Sequence, residues 1–162
     1  MLSNPKLYEI NTRVWIKRFG KNATIADVPL SYFIDLHEKG IELIWLMGIW
    51  KTCPDIVEKC CFTSDLTSAY TKCLEDWGKE DVVGSPYSID TYEINPLLGK
   101  KEDVINLKQA LNKLGMKLIL DFVPNHFGAG TKYIETNPEI FLQSDESSLQ
   151  NDPHTFEYEC LI

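Results

Sequence analysis

Gly115-Met116-Lys117-Leu118-Ile119-Leu120-Asp121-Phe122-Val123-Pro124-Asn125-His126 is the stretch on which the fold reading turns. Lys117 to Val123 reads as a strand of the buried type, because its apolar run shows no alternation of wet and dry sides. It ends in Pro124-Asn125-His126, a polar terminus where functional groups can gather. Just upstream, Asp103 to Leu114 reads as a helix with Val104, Leu107, Leu111 and Leu114 on one face and Gly115 as its left-handed stop.

Moving toward the amino terminus, the same unit recurs. Ile41 to Trp50 contains the continuous apolar run Leu43-Ile44-Trp45-Leu46-Met47, a second buried strand. Before it lies a helix that opens at Pro29, where a missing N–H costs nothing, shows Leu30, Phe33, Ile34 and His37 on one face, and stops at Gly40. Leu7 to Ile16 alternates, with Tyr8, Ile10, Thr12, Val14 and Ile16 on one side, so the period of two predicts a first strand.

Residues 51–99 form a long excursion. Leu66, Tyr70, Cys73 and Trp77 recur at helical spacing, and Asp81 to Asn95 reads as loop punctuated by Gly84 and Pro86. After His126 the chain is polar, with one short helical stretch near Pro138 to Gln143. The order strand, helix, strand, insertion, helix, strand is that of right-handed crossovers in an all-parallel α/β fold. An open doubly wound sheet and a closed eight-stranded barrel both satisfy it. No glycine fingerprint follows the first strand, which weakens a dinucleotide-binding sheet, and a barrel takes roughly 250 residues. Composition does not decide between them.

The charge balance excludes some functions. With 16 Lys and Arg against 24 Asp and Glu, net charge −8, the chain lacks the basic surface that nucleic acid or anionic membrane requires. No basic segment followed by an apolar run opens the chain, and the longest apolar run, Leu43 to Trp50, is of strand length. A cytoplasmic protein without signal peptide or spanning segment is therefore expected. Cys53, Cys60, Cys61, Cys73 and Cys160 are odd in number and irregular in spacing. In such a compartment they are expected to be reduced, and no C-x2-C pair suggests zinc.

Four segments, in order, resemble the alpha-amylase family (glycoside hydrolase family 13). Residues 115–126 resemble its first signature block, a hydrophobic third barrel strand ending in Asp-x-x-x-Asn-His. Gly84-Ser85-Pro86-Tyr87-Ser88-Ile89-Asp90-Thr91-Tyr92-Glu93-Ile94-Asn95-Pro96 is similar to the segment between its second strand and helix. Tyr8 to Trp15 resembles its first strand and Leu43 to Trp50 its second. The agreement runs from about Leu7 to at least His126, and Asn137-Pro138-Glu139-Ile140-Phe141 resembles what often follows.

The resemblance implies a partial TIM (β/α)8 barrel: the first three βα units, with a long insertion after strand 2. Residues 1–162 would be the amino-terminal part of one catalytic domain, and 51–99 the insertion between strand 2 and its helix. It implies an α-glucan or oligosaccharide substrate. His126 would contact the sugar ring beside the scissile bond, and Tyr87 would offer an aromatic face to the same sugar. Asp90 would anchor that loop, Asp121 would orient neighbouring groups, and Asn125 would brace the loop or ligate calcium through its amide oxygen in calcium-binding members.

Alone, each residue has a plainer reading: Asp121 capping a turn, His126 incidental in a loop, Tyr87 packing. His37 and His154 read as filler, and Trp15, Trp45 and Trp50 as core or barrel-rim residues. The family's catalytic nucleophile and acid/base have no counterpart here and are expected beyond residue 162. Three strands cannot close a barrel, so the isolated chain is expected to self-associate. A non-catalytic amylase-like sugar-binding module, or a scaffold of the amino-acid-transporter heavy-chain type, is the alternative.

Overall fold

A computed structural model describes residues 4–142 and 146–151. These fall into two compact units, one built from the described residues up to 51 together with 92–124, the other from 52–91 and the described residues from 125 onward.

The first unit holds the parallel sheet. Strands β1 (Leu7–Asn11), β2 (Leu43–Met47) and β5 (Lys117–Leu120) lie in the order β1-β2-β5. Leu7 is opposite Leu43, and Leu43 opposite Lys117. Helix α2 (Leu30–Glu38) joins β1 to β2, and α5 (Lys101–Lys113) precedes β5. Gly40 and Gly115 end these helices at φ of 80° and 82°, as their positions in the sequence predict.

One side of the sheet is packed. Ile44 and Leu46 are fully buried among Phe33 and Leu36 of α2 and Val104, Leu107 and Leu111 of α5. The alternate residues of β2, namely Leu43, Trp45 and Met47, are only half-buried. The expectation of a strand buried on both faces thus holds for one face. In a closed barrel the other face is filled by side chains from further strands.

The first strand is shorter than its alternation predicts. After Asn11 the chain turns into α1 (Thr12–Trp15) and a 3-10 turn at Ile16–Phe19. Thr12, Trp15 and Ile16 are buried at helical spacing, and alternation over five residues could not exclude that reading. Trp15 packs edge-on against Phe19 and Phe33, so tertiary burial overrides the period of two.

The 51–99 excursion is also more ordered than a loop. It contains β3 (Trp50–Thr52), α3 (Pro54–Cys60), α4 (Ser64–Cys73) and β4 (Ile89–Ile94), with β3 and β4 paired as a two-stranded sheet. The predicted helix stops at Cys73. Trp77 lies beyond it and folds back, its indole N–H donating to Thr71 Oγ1 at 2.9 Å. In the second unit α6 (Tyr133–Thr136) and a 3-10 turn at Pro138–Ile140 occupy the polar segment, followed by α7 (Glu146–Asn151). The short helix expected near Pro138–Gln143 is represented by that turn.

Cys60 is disulfide-bonded, which corrects the reading of all five cysteines as reduced. Cys61 and Cys73 carry free thiols. Pairing depends on which cysteines the fold brings within bonding distance, and irregular spacing does not encode that. The cytoplasmic expectation loses this support. Among the described residues no helix is long and apolar enough to cross a membrane.

Leu46 is 0% exposed, so Leu46→Ala should destabilise the chain by about 2–5 kcal/mol through lost transfer energy and the cavity left behind. Leu142, 87% exposed, serves as the control, with an expected change of less than about 0.5 kcal/mol for Leu142→Ala. Urea denaturation of both variants against wild type checks the contrast.

Candidate functional site

Within the first unit, the ends of β2 and β5 converge on Asp121. Its side chain is 8% exposed, and both carboxylate oxygens are occupied. Trp45 Nε1–H donates to Oδ1 at 2.7 Å and the Gly48 backbone N–H to Oδ2 at 2.6 Å. Trp50 Nε1–H donates to the Asp121 main-chain oxygen at 2.9 Å. Gly48 turns at φ 73°, a left-handed conformation that costs glycine little and aims its N–H at the carboxylate.

Tyr92 fastens the next peptide. Its hydroxyl donates to the Val123 carbonyl at 2.9 Å and accepts from the Val123 N–H at 2.8 Å, while its ring meets Trp50 edge-on at 5.2 Å. The end of β5 is therefore held on its side chain and on both sides of its backbone.

Tyr87, Asp90, Asn125 and His126 belong to the second unit. Asn125 Oδ1 lies 3.1 Å from His126 Nδ1. With the proton on Nδ1 this is a hydrogen bond, and Nε2 is left as an acceptor. Tyr87 is half-buried on a turn closed by Ser85, whose carbonyl accepts from the Ser88 N–H at 3.2 Å and whose Oγ accepts from the Tyr87 N–H at 3.2 Å.

The two loops are joined through Asp90, itself buried. Asp90 Oδ1 accepts from the Lys132 N–H at 3.2 Å, and its main-chain oxygen accepts from Thr131 Oγ1 at 2.7 Å. The Gly128 N–H donates to the Ile89 carbonyl at 2.8 Å. The structure thus brings Asp90 against the loop that follows His126, and Asn125 against His126. His126's described hydrogen bond goes to Asn125 rather than to Tyr87.

A cavity of about 530 Å³ in this unit is lined by residues including Ile56, Leu66, Tyr70 and Trp77. Ser85 and Ser88 also line it, but Tyr87 and His126 do not. Among the described residues no group of three or more His, Cys, Asp or Glu side chains could hold a metal ion. Calcium takes roughly 6–8 oxygen ligands, and the Asn125 amide oxygen faces His126 Nδ1.

Sequence reasoning left Trp45, Gly48, Tyr92, Gly128 and Thr131 without a part in this arrangement. For Trp45 a signal was present, since a half-buried indole N–H needs an acceptor and Asp121 is the acid at the end of the neighbouring buried run. For Thr131, in a polar stretch of unclear register, there was none.

The model of the alpha-amylase catalytic domain matches residues 30–151. An alpha-amylase structure from Lactobacillus plantarum superposes with a TM-score of 0.62 at 23% identity, covering 88% of this chain and 28% of that one. An alpha-glucosidase of Apis mellifera is 46% identical over 98 residues, 60% of this chain and 12% of its own length. The amino acid transporter heavy chain SLC3A1 of Homo sapiens is 37% identical over 62 residues, 38% of this chain and 8% of its own. The match thus spans only 8% to 12% of these curated relatives. At 23% identity the superposition speaks to fold, and the fold is part of a TIM barrel. The chain belongs to the alpha-amylase family, over whose catalytic domain it matches.

Asp121→Asn replaces one acceptor with an NH2 that faces either the Trp45 indole or the Gly48 N–H. Loss of a buried hydrogen bond to a charged group should lower stability by about 1.5–3 kcal/mol. Thermal unfolding of the variant against wild type measures it, and an unchanged midpoint would contradict the geometry.

Proposed function

We propose that this chain is the amino-terminal part of the catalytic domain of a retaining glycoside hydrolase acting on α-glucosidic bonds, and that it contributes the sugar-contacting half of the cleft without the catalytic carboxylates. The observation that supports this most is the family match over residues 30–151, joined to the fastening of the Tyr87 loop to the His126 loop through Asp90.

In this reading Tyr87 offers its ring to the apolar face of a glucose unit. His126 meets the sugar hydroxyls, with Asn125 selecting the tautomer that leaves Nε2 as acceptor. Asp90 and Asp121 hold backbone and touch no sugar. Retaining hydrolysis needs two carboxyl groups roughly 5–5.5 Å apart, one to attack and one to protonate. Asp121 has both oxygens engaged and cannot serve as either, so the chain alone is inactive.

Calorimetric titration with maltotriose should give saturable binding for wild type and at least about a tenfold loss for His126→Ala, with no turnover of a nitrophenyl α-glucoside by either protein. Equal binding by both, or glucoside turnover by purified wild type, defeats the proposal. The match to a transporter heavy chain favours a second reading, a non-catalytic amylase-like scaffold that holds no sugar. It predicts no maltotriose binding by wild type.

The half-buried face of β2 and, among the described residues, the pairing of β1 and β5 with β2 alone support self-association of the isolated chain, since strand edges offer unpaired donors and acceptors. Light scattering should report a mass above the 18.6 kDa of one chain. A strict monomer at all concentrations tested contradicts it.

A further inference from the structure

Three hydrogen bonds tie the segment after His126 to the strand after Tyr87, and they come from a short stretch, residues 128–132. Gly128 donates to Ile89, Thr131 to the Asp90 carbonyl and Lys132 to the Asp90 carboxylate. Thr131 is the only one of the three to do this with a side chain, and it is 3% exposed. Its hydroxyl also accepts from the Tyr133 N–H at 3.3 Å, at the first turn of α6. One oxygen therefore both donates to β4 and starts the helix that carries the segment away.

Gly128 fits the same geometry for a steric reason. A Cβ there would lie 2.6 Å from Ser88 Oγ and 2.7 Å from Cys53 Sγ, so only a residue without a side chain permits the close approach. His126 stands two residues before Gly128, and Tyr87 three residues before Asp90.

We infer that Thr131 is a positioning residue. By bonding the Asp90 carbonyl it sets the distance and orientation between the loop bearing His126 and the loop bearing Tyr87, and so determines whether one sugar ring can meet both. This rests on the sugar-site reading proposed above. A buried hydroxyl with both a donor and an acceptor role has no apolar equivalent, because valine removes the donor that reaches the Asp90 carbonyl and the acceptor that meets the Tyr133 N–H.

The test compares Thr131→Val with Thr131→Ser in the full chain, with two readouts. One is the pair of His126 imidazole carbon-bound proton resonances without ligand, and the other is maltotriose affinity by calorimetry. Thr131→Val should shift the His126 resonances and weaken maltotriose binding about tenfold, while Thr131→Ser, which retains the hydroxyl, should match wild type in both. Val behaving as wild type in both readouts overturns the inference. If Thr131→Val fails to fold, Gly128→Ala takes its place, since it displaces the same segment from Ser88 and Cys53 with the Thr131 hydroxyl intact. It should also shift the His126 signals, and unchanged signals would again overturn the inference. Absence of maltotriose binding by wild type defeats the sugar-site reading, and the ligand-free His126 resonances still decide the role of Thr131.

Discussion

A buried carboxylate tolerates few environments, and Asp121 has found one. Taking a charged group out of water is costly unless its lone pairs are matched by donors, and here both oxygens receive short hydrogen bonds, from an indole and from a main-chain N–H. The matching works only while β2 and β5 stay in register, because Trp45 and Gly48 come from one strand and its exit while Asp121 comes from the end of the other. A slip of one residue would turn Trp45 to the opposite face and leave the acid unmatched. The requirement to satisfy one charge therefore sets the register and fixes where both strands release their chains.

The sheet that Asp121 ties together is packed asymmetrically. Helices α2 and α5 cover Ile44 and Leu46 completely, whereas Leu43, Trp45 and Met47 remain half-open on the other side. That imbalance leaves the helix-covered side of the sheet packed and the opposite side, the one that faces inward in a closed barrel, half-open. Membership of the alpha-amylase family, with 28% of a related chain covered, is consistent with the same picture.

Much of this was legible in the sequence because it follows from local patterns. The apolar runs at 43–47 and 117–120, the helical faces of α2 and α5 and their glycine stops at Gly40 and Gly115 all encode their own structure. The ordered residue types around Tyr87, Asp90, Asp121, Asn125 and His126 carried the family resemblance. What stayed hidden was set by partners distant in sequence. Strand β4 sits within a stretch that reads as loop because of Gly84 and Pro86, and its pairing partner β3 lies some forty positions upstream. Thr12, Val14 and Ile16 continue the alternating pattern, but burial of Thr12, Trp15 and Ile16 draws the chain into a helical turn. The bond at Cys60, the hydroxyl of Thr131 and the close approach at Gly128 depend on which segments the fold makes neighbours.

Hydrogen exchange at the Trp45 indole and the Gly48 amide in the unmodified chain reads whether Asp121 locks the end of the sheet through these two donors. Both should be protected, exchanging far more slowly than the backbone amide of Lys21, an exposed residue, in the same sample. A Trp45 indole proton that exchanges as fast as one open to solvent would contradict it.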